Sequence, residues 1–199
     1  MPDSLIAPVR TLGLAIAMMF IAALAATSAR AQIDYPDETQ TYSEDEILSA
    51  VERFFGELSK DMAQVVDKVF ADQGRPNGYI VGQEVAGAIG LGLNYGSGTL
   101  HIKPGTERKV YWAGPSIGFD LGGNAAKVFT LVYNLPSAED IYRRFPGVEG
   151  SLYFVGGVGV TYQQAGDVIL APMRAGGGWR AGANVGYLGY TRERMLLPF

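Results

Sequence analysis

The chain has 199 residues, 48% of them hydrophobic, and a net charge of −4, which suits one folded domain with a sizeable core. It contains no cysteine and a single histidine, His101, so thiolate catalysis, disulfides and Cys/His zinc sites are excluded. The charge is unevenly spread: residues 32–73 carry eleven acids against three bases, and residues 74–199 eight acids against eleven bases. A mildly basic second part permits contact with anionic lipid or polysaccharide.

At the N-terminus, Arg10 precedes an apolar run over 12–25, and "TSARAQ" follows with Ala29 and Ala31 flanking Arg30. This pattern predicts a cleavable signal peptide over 1–31, cut between Ala31 and Gln32, and hence a periplasmic protein. The run is short for a membrane span, which needs about 20 residues; a retained anchor is the alternative reading. Residues 32–42 are polar and acidic with a proline, and are expected to form a disordered arm. "SEDE" at 43–46 is a capping box, with Ser43 as N-cap and Glu46 at N3. Ile47, Val51, Phe54, Phe55 and Leu58, then Met62, Val65, Val66, Val69 and Phe70, recur at helical spacing. They predict one long amphipathic helix or two consecutive ones over 43–73, docked on the same domain or on a partner. "GRPNG" at 74–78 stops it.

From Gly74 onward the texture changes, and 25 of the 27 glycines lie here among Tyr, Val, Phe and Leu. Strands are predicted at 79–85, 88–95, 99–103, 109–113, 116–121, 127–134, 150–162, 168–174 and 178–190. Turns are predicted at "NYGSG", "KPGT", "AGPS", "LGGN", "QQAGD" and "RAGGG". A short helix is expected near 137–145, with Ser137 as N-cap, Asp140 at N3 and a stop at Pro146-Gly147. The fold class is therefore mainly β. Residues 74–199 are expected to form a small closed or partly closed antiparallel β-barrel of roughly eight to ten strands.

The glycines do not make a phosphate loop. Gly90-x-Gly92 meets its third glycine at the wrong spacing, and no Lys follows to complete a Walker loop. Inside strands, glycine marks bends and close backbone approach, both of which a narrow barrel needs. Bulky residues such as Tyr79, Tyr95, Tyr153, Phe154, Tyr187 and Tyr190 can fill the space left.

Several segments resemble the envelope integrity protein A (EipA) family: "SEDEILSAVERFFGELS", "GRPNGYIVGQEVAGAIGLGLNYGSGTL", "KVYWAGPSIGFDLGGN" and "LVYNLPSAEDIYRRFPGVEGSLYFVGGVGVTY". The resemblance covers roughly residues 43–199. It implies a small soluble periplasmic β-barrel with a role in maintaining the cell envelope, and no known catalytic residues. The glycine-rich barrel behind an N-terminal helix is also distantly similar in texture to the SYLF lipid-binding domain.

No catalytic motif stands out, and no enzyme activity, cofactor or metal is expected. His101 is read as a satisfied or surface histidine, since no nucleophile elbow or zinc-binding helix accompanies it. Glu84 and Asp120 are the candidate carboxylate pair of a glycan hydrolase, the alternative function. Tyr111, Trp112, Arg143 and Arg144 are the candidate ligand contacts, because aromatics beside arginines suit stacking on sugar or holding phosphate. The bland alternative has Trp112 filling the core and the arginines serving the end of the short helix. Nothing suggests nucleic acid. The expected function is noncovalent binding of an envelope component: lipid, lipopolysaccharide or cell-wall glycan. A small outer-membrane barrel is a further alternative, opposed by Pro198 and the charged "TRERM" near the end.

Overall fold

The computed structural model describes residues 39–57, 59–87, 91–117, 125–175 and 184–195, all within one compact unit, Pro36–Phe199. The expected signal peptide, its expected cleavage site at Ala31 and Gln32, and Asp120 lie outside the described residues.

The described residues open with two helices, α1 (Glu44–Phe55) and α2 (Lys60–Gln73). The capping box forms as expected: Glu46 N–H donates to Ser43 Oγ, and Ser43 N–H donates to Glu46 Oε2 at 2.7 Å. The helix divides because Gly56 adopts φ +94° as the C-cap of α1, a left-handed conformation that glycine takes without strain. Ser59 then caps α2 through Met62 N–H. Of the residues expected in the arm, Thr41 is buried and Tyr42 packs edge-on against Tyr79, with ring centroids 5.1 Å apart.

Eleven strands follow: β1 (Gly78–Gly87), β2 (Leu91–Ile102), β3 (Thr106–Ile117), β4 (Ala125–Tyr133), β5 (Arg144–Pro146), β6 (Tyr153–Val155), β7 (Val158–Val160), β8 (Gln163–Ala165), β9 (Val168–Ala175), β10 (Asn184–Val185) and β11 (Tyr187–Thr191). Neighbours pair antiparallel in the order β5-β11-β3-β2-β1-β4-β9-β7-β6, with β10 beside β3 and β8 beside β9. The ends of the sheet meet through one bridge, Gly147 with Gln163, backed by Val148 N–H donating to the Tyr162 carbonyl at 2.8 Å. The sheet is thus curled into a barrel closed by a thin seam.

Two expected turns lie inside strands instead. "NYGSG" is the middle of β2, and "AGPS" lies within β3, so four expected strands are two strands of twelve residues. The expected strand at 150–162 is the β6–β7 hairpin, and that at 178–190 is described as β10 and β11. The short helix is a single 3-10 turn, Ala138–Ile141. Ser137 makes no side-chain cap there; its hydroxyl donates to the Asp140 carboxylate at 2.7 Å.

The sheet separates two cores. Inside the barrel lie Ile80, Leu100, Val110, Trp112, Phe145, Leu170, Leu188 and Tyr190, with Leu135 and Ile141 plugging one end. Outside, the apolar stripe of α1 and α2 (Ile47, Val51, Val65, Val66, Val69) covers Phe129, Leu131, Ala171 and Met173 of β4 and β9. The helices therefore dock on their own barrel. Each fully buried Val or Ile contributes roughly 1.5–3 kcal/mol.

Candidate functional site: an arginine-ended trough

Register fixes the site. On the outward face of β1, β2, β3, β11 and β5, one rung runs Val85, Tyr95, Ala113, Gly189, Arg144, and the next runs Gln83, Ser97, Tyr111, Thr191. These residues line a cavity of about 600 Å³, within the range of small-molecule sites. With strands about 4.8 Å apart, the rung from Val85 to Arg144 spans roughly 19 Å. The trough is therefore long and laid across the strands. Arg194 and Met195 complete its wall, and Arg143, Trp112 and Tyr190 border it.

All four expected contact residues, Tyr111, Trp112, Arg143 and Arg144, line this one cavity. Their shares differ. Trp112 is 3% exposed and belongs mainly to the core, as the bland alternative held. Arg143 is engaged by the 3-10 turn: Nε donates to the Asp140 carbonyl at 2.6 Å, and Nη2 pairs with its carboxylate at 3.2 Å. Arg144 is exposed, with its guanidinium 5.4 Å from the Tyr187 ring centre. Among the described residues, no carboxylate pairs with Arg144 or Arg194, and none lines the trough. The sequence does not single out Tyr95 or Arg194 as a contact: the turn predicted at "NYGSG" crosses the strand of Tyr95, and the charges of "TRERM" count there only against an outer-membrane barrel.

The segment carrying Arg194 is tethered. Arg192 pairs with Glu139, which also faces Arg108 at 3.9 Å, and its guanidinium lies 4.5 Å from the Tyr142 ring centre. Tyr142 in turn donates its hydroxyl to the Lys109 carbonyl at 3.0 Å. The 3-10 turn thereby holds both arginine-bearing segments at the same end of the trough.

Beneath the floor, facing the barrel interior, is a buried polar cluster. Glu84 is fully buried and takes Arg174 Nε at 3.0 Å, Arg174 Nη2 at 3.2 Å and Trp112 Nε1 at 2.8 Å. Burial opposes the charge of Arg174, but the Glu84 carboxylate outweighs it and holds the guanidinium pKa above its ordinary value. Burial likewise pushes the Tyr190 phenol up, and its hydroxyl shares a hydrogen bond with Thr130. The indole of Trp112 lies flat where Gly82 and Gly96 have no side chain: a Cβ at Gly82 would sit 2.7 Å from Trp112 Cη2, and one at Gly96 would run into the ring.

Glu84 is sealed from solvent with both oxygens bonded, an arrangement that does not suit an acid or base that must reach a substrate. His101 is a partnered surface group, as expected: Nδ1 lies 3.1 Å from Glu107, and the ring stacks on Tyr79. Among the described residues, no cluster of His, Asp and Glu has the makings of a metal site.

The chain is similar to a solved beta-barrel-like, uncharacterized protein from Brucella abortus, at 43% identity over 80% of this chain and 99% of that one, with a TM-score of 0.73. No curated protein matches it. The Envelope integrity protein A family model matches residues 40–199, and with the barrel-like fold this shows that the chain belongs to the envelope integrity protein A family.

Proposed function

We propose that this chain is a non-enzymatic periplasmic factor that maintains the cell envelope by holding an envelope component in the trough. The family points to the envelope. The observation that carries the binding role is the trough itself, a cavity of about 600 Å³ with arginines at one end and no carboxylate among its described lining. Arg144 and Arg194, which pair with no described carboxylate, are arranged to receive an anionic group.

An outer-membrane barrel fits less well. Such barrels turn an apolar band outward on every strand. Here the outward face presents Gln83, Ser97, Lys109 and Arg144, and much of the rest is covered by the helices. A glycan hydrolase would need a reachable carboxylate pair, and Glu84 is committed to Arg174 and Trp112.

The test is complementation. In a strain lacking the gene, the double charge reversal Arg144→Glu/Arg194→Glu should give a folded, normally abundant protein that fails to restore resistance to detergent and EDTA. Both positions are exposed, so the fold should tolerate the change. Full restoration by that variant would overturn the proposal.

A further inference from the structure

Resting on the reading of the trough as a ligand site, we infer that its occupant is an anionic single-chain amphiphile, an acyl chain bearing a phosphate-type headgroup, bound with the chain across β1 to β3 and the head against Arg144 and Arg194. Three observations converge. First, charge is segregated along the trough. Its β1–β2 end carries Val85 and Tyr95, and the arginines lie at the β5–β11 end and on the tethered segment after it. Second, the upper rung is a continuous line without charge from Val85 through Tyr95 and Ala113 to Gly189, over a span of roughly 14 Å. Val85 is also one of the large apolar side chains most open to solvent, at 45%, which is where an apolar chain would recover burial. Third, the described lining offers no acid to compete for Arg144 and Arg194.

A sugar chain matches this less well. Each of its hydroxyls needs a partner once buried, and Val85, Ala113 and Gly189 offer no side-chain hydrogen bond along the upper rung. The polar groups of the lower rung, Gln83, Ser97 and Thr191, flank one side only. An acyl chain is content with a rung of that kind, and bidentate guanidinium–phosphate pairing supplies the polar end.

The experiment is calorimetric titration of the full mature chain with dodecyl phosphate below its micelle concentration. Inorganic phosphate, dodecyl maltoside and a soluble peptidoglycan digest are the comparators. Expected is one-to-one binding of dodecyl phosphate, with inorganic phosphate weaker by roughly a hundredfold or more. Arg144→Glu/Arg194→Glu should weaken dodecyl phosphate at least about tenfold, with the near-ultraviolet circular dichroism unchanged. As a second variant, Ala113→Leu fills the middle of the rung and should weaken the amphiphile while leaving inorganic phosphate unaffected. Dodecyl maltoside binding as tightly as dodecyl phosphate would overturn the inference, because the head would not be selected. Inorganic phosphate binding as tightly would overturn it too, because the chain would be idle. If no amphiphile binds but the digest does, and Ala113→Leu abolishes that, the lipid assignment fails while the trough remains a ligand site. If nothing binds, both fall.

Discussion

Glu84, Arg174 and Trp112 show how a costly burial is made tolerable. Taking a carboxylate and a guanidinium out of water costs several kcal/mol per ion, offset only when geometry is good and the remaining lone pairs are used. Here both carboxylate oxygens meet Arg174, and the second also takes the Trp112 indole N–H. That bond fixes an indole which closes the core side of the trough floor and is itself admitted by Gly82 and Gly96. Removing one partner should therefore be far worse than removing both. Glu84→Leu leaves Arg174 charged and buried, and is expected to cost about 3–5 kcal/mol in urea unfolding. Glu84→Leu/Arg174→Leu should recover most of that loss, less the bond to Trp112, worth about 1–3 kcal/mol. If the double variant is no more stable than Glu84→Leu alone, the pair is not the coupled unit described.

At the scale of elements, the two helices are held to the barrel by apolar burial at their centre and, at their edges, by one ion pair and one hydrogen bond. Glu46 of α1 reaches Lys103 in the β2–β3 turn at 2.7 Å, and Asp72 of α2 accepts from Lys68 at 3.0 Å and from the Tyr162 hydroxyl at 2.9 Å. Hydrogen bonds from Lys103 and from the Ser43 backbone lower the Glu46 pKa, and bonds from Lys68 and Tyr162 lower that of Asp72. Because the folded-state values are depressed, the stabilisation is complete above the ordinary carboxylate values of 4.5 and 3.8 and is lost as the pH falls through the lower, folded-state values. Both side chains are a third or more open to water, so each contributes at most about 1 kcal/mol. Thermal unfolding of Glu46→Gln/Asp72→Asn should match that of the parent at acid pH below those values and fall short of it at pH 7; equal midpoints at pH 7 would show the pairs to be idle.

The elements were unevenly legible in the sequence. The capping box and apolar stripe announced α1 and α2 because both signals are local. "NYGSG" and "AGPS" mislead because their glycines answer to cross-strand neighbours: Gly96 makes room for Trp112, and a Cβ at Gly98 or Gly114 would run into the Val81 or Tyr187 carbonyl. Once those turns were placed, the alternation of β2 and β3 could not be carried through. Tyr95, Ser97 and Tyr111 therefore could not be recognised as sharing a face, even though Tyr111, Arg143 and Arg144 had drawn attention by their chemistry.

For the whole molecule, the question is how a sheet with prolines inside its strands stays closed. Pro115 lies in β3 between the residues paired with β11 (Tyr111–Ala113) and those paired with β10 (Ser116, Ile117). Pro172 lies in β9 between the residues paired with β8 (Val168–Leu170) and those paired with β7 (Met173–Ala175). A proline cannot donate to a ladder, and each stands where its strand changes partner on one edge. The barrel thus changes partners twice, and its closure falls on Gly147 with Gln163 and on Val148 N–H with the Tyr162 carbonyl. By contrast, β1 pairs with β2 over ten residues and with β4 over eight, and β2 pairs with β3 over twelve. Local opening follows the fewest buried contacts and the thinnest hydrogen bonding, so the barrel should breathe at the seam between β5 and β8. Native-state hydrogen exchange should show the amides of Val148 and its neighbours exchanging well before those of Val81, Leu100 and Val110, which should exchange only with global unfolding. Seam amides as protected as those of β2 would mean that closure is carried by packing of the barrel core around Phe145 of β5, and that the single bridge is a consequence of the barrel being shut.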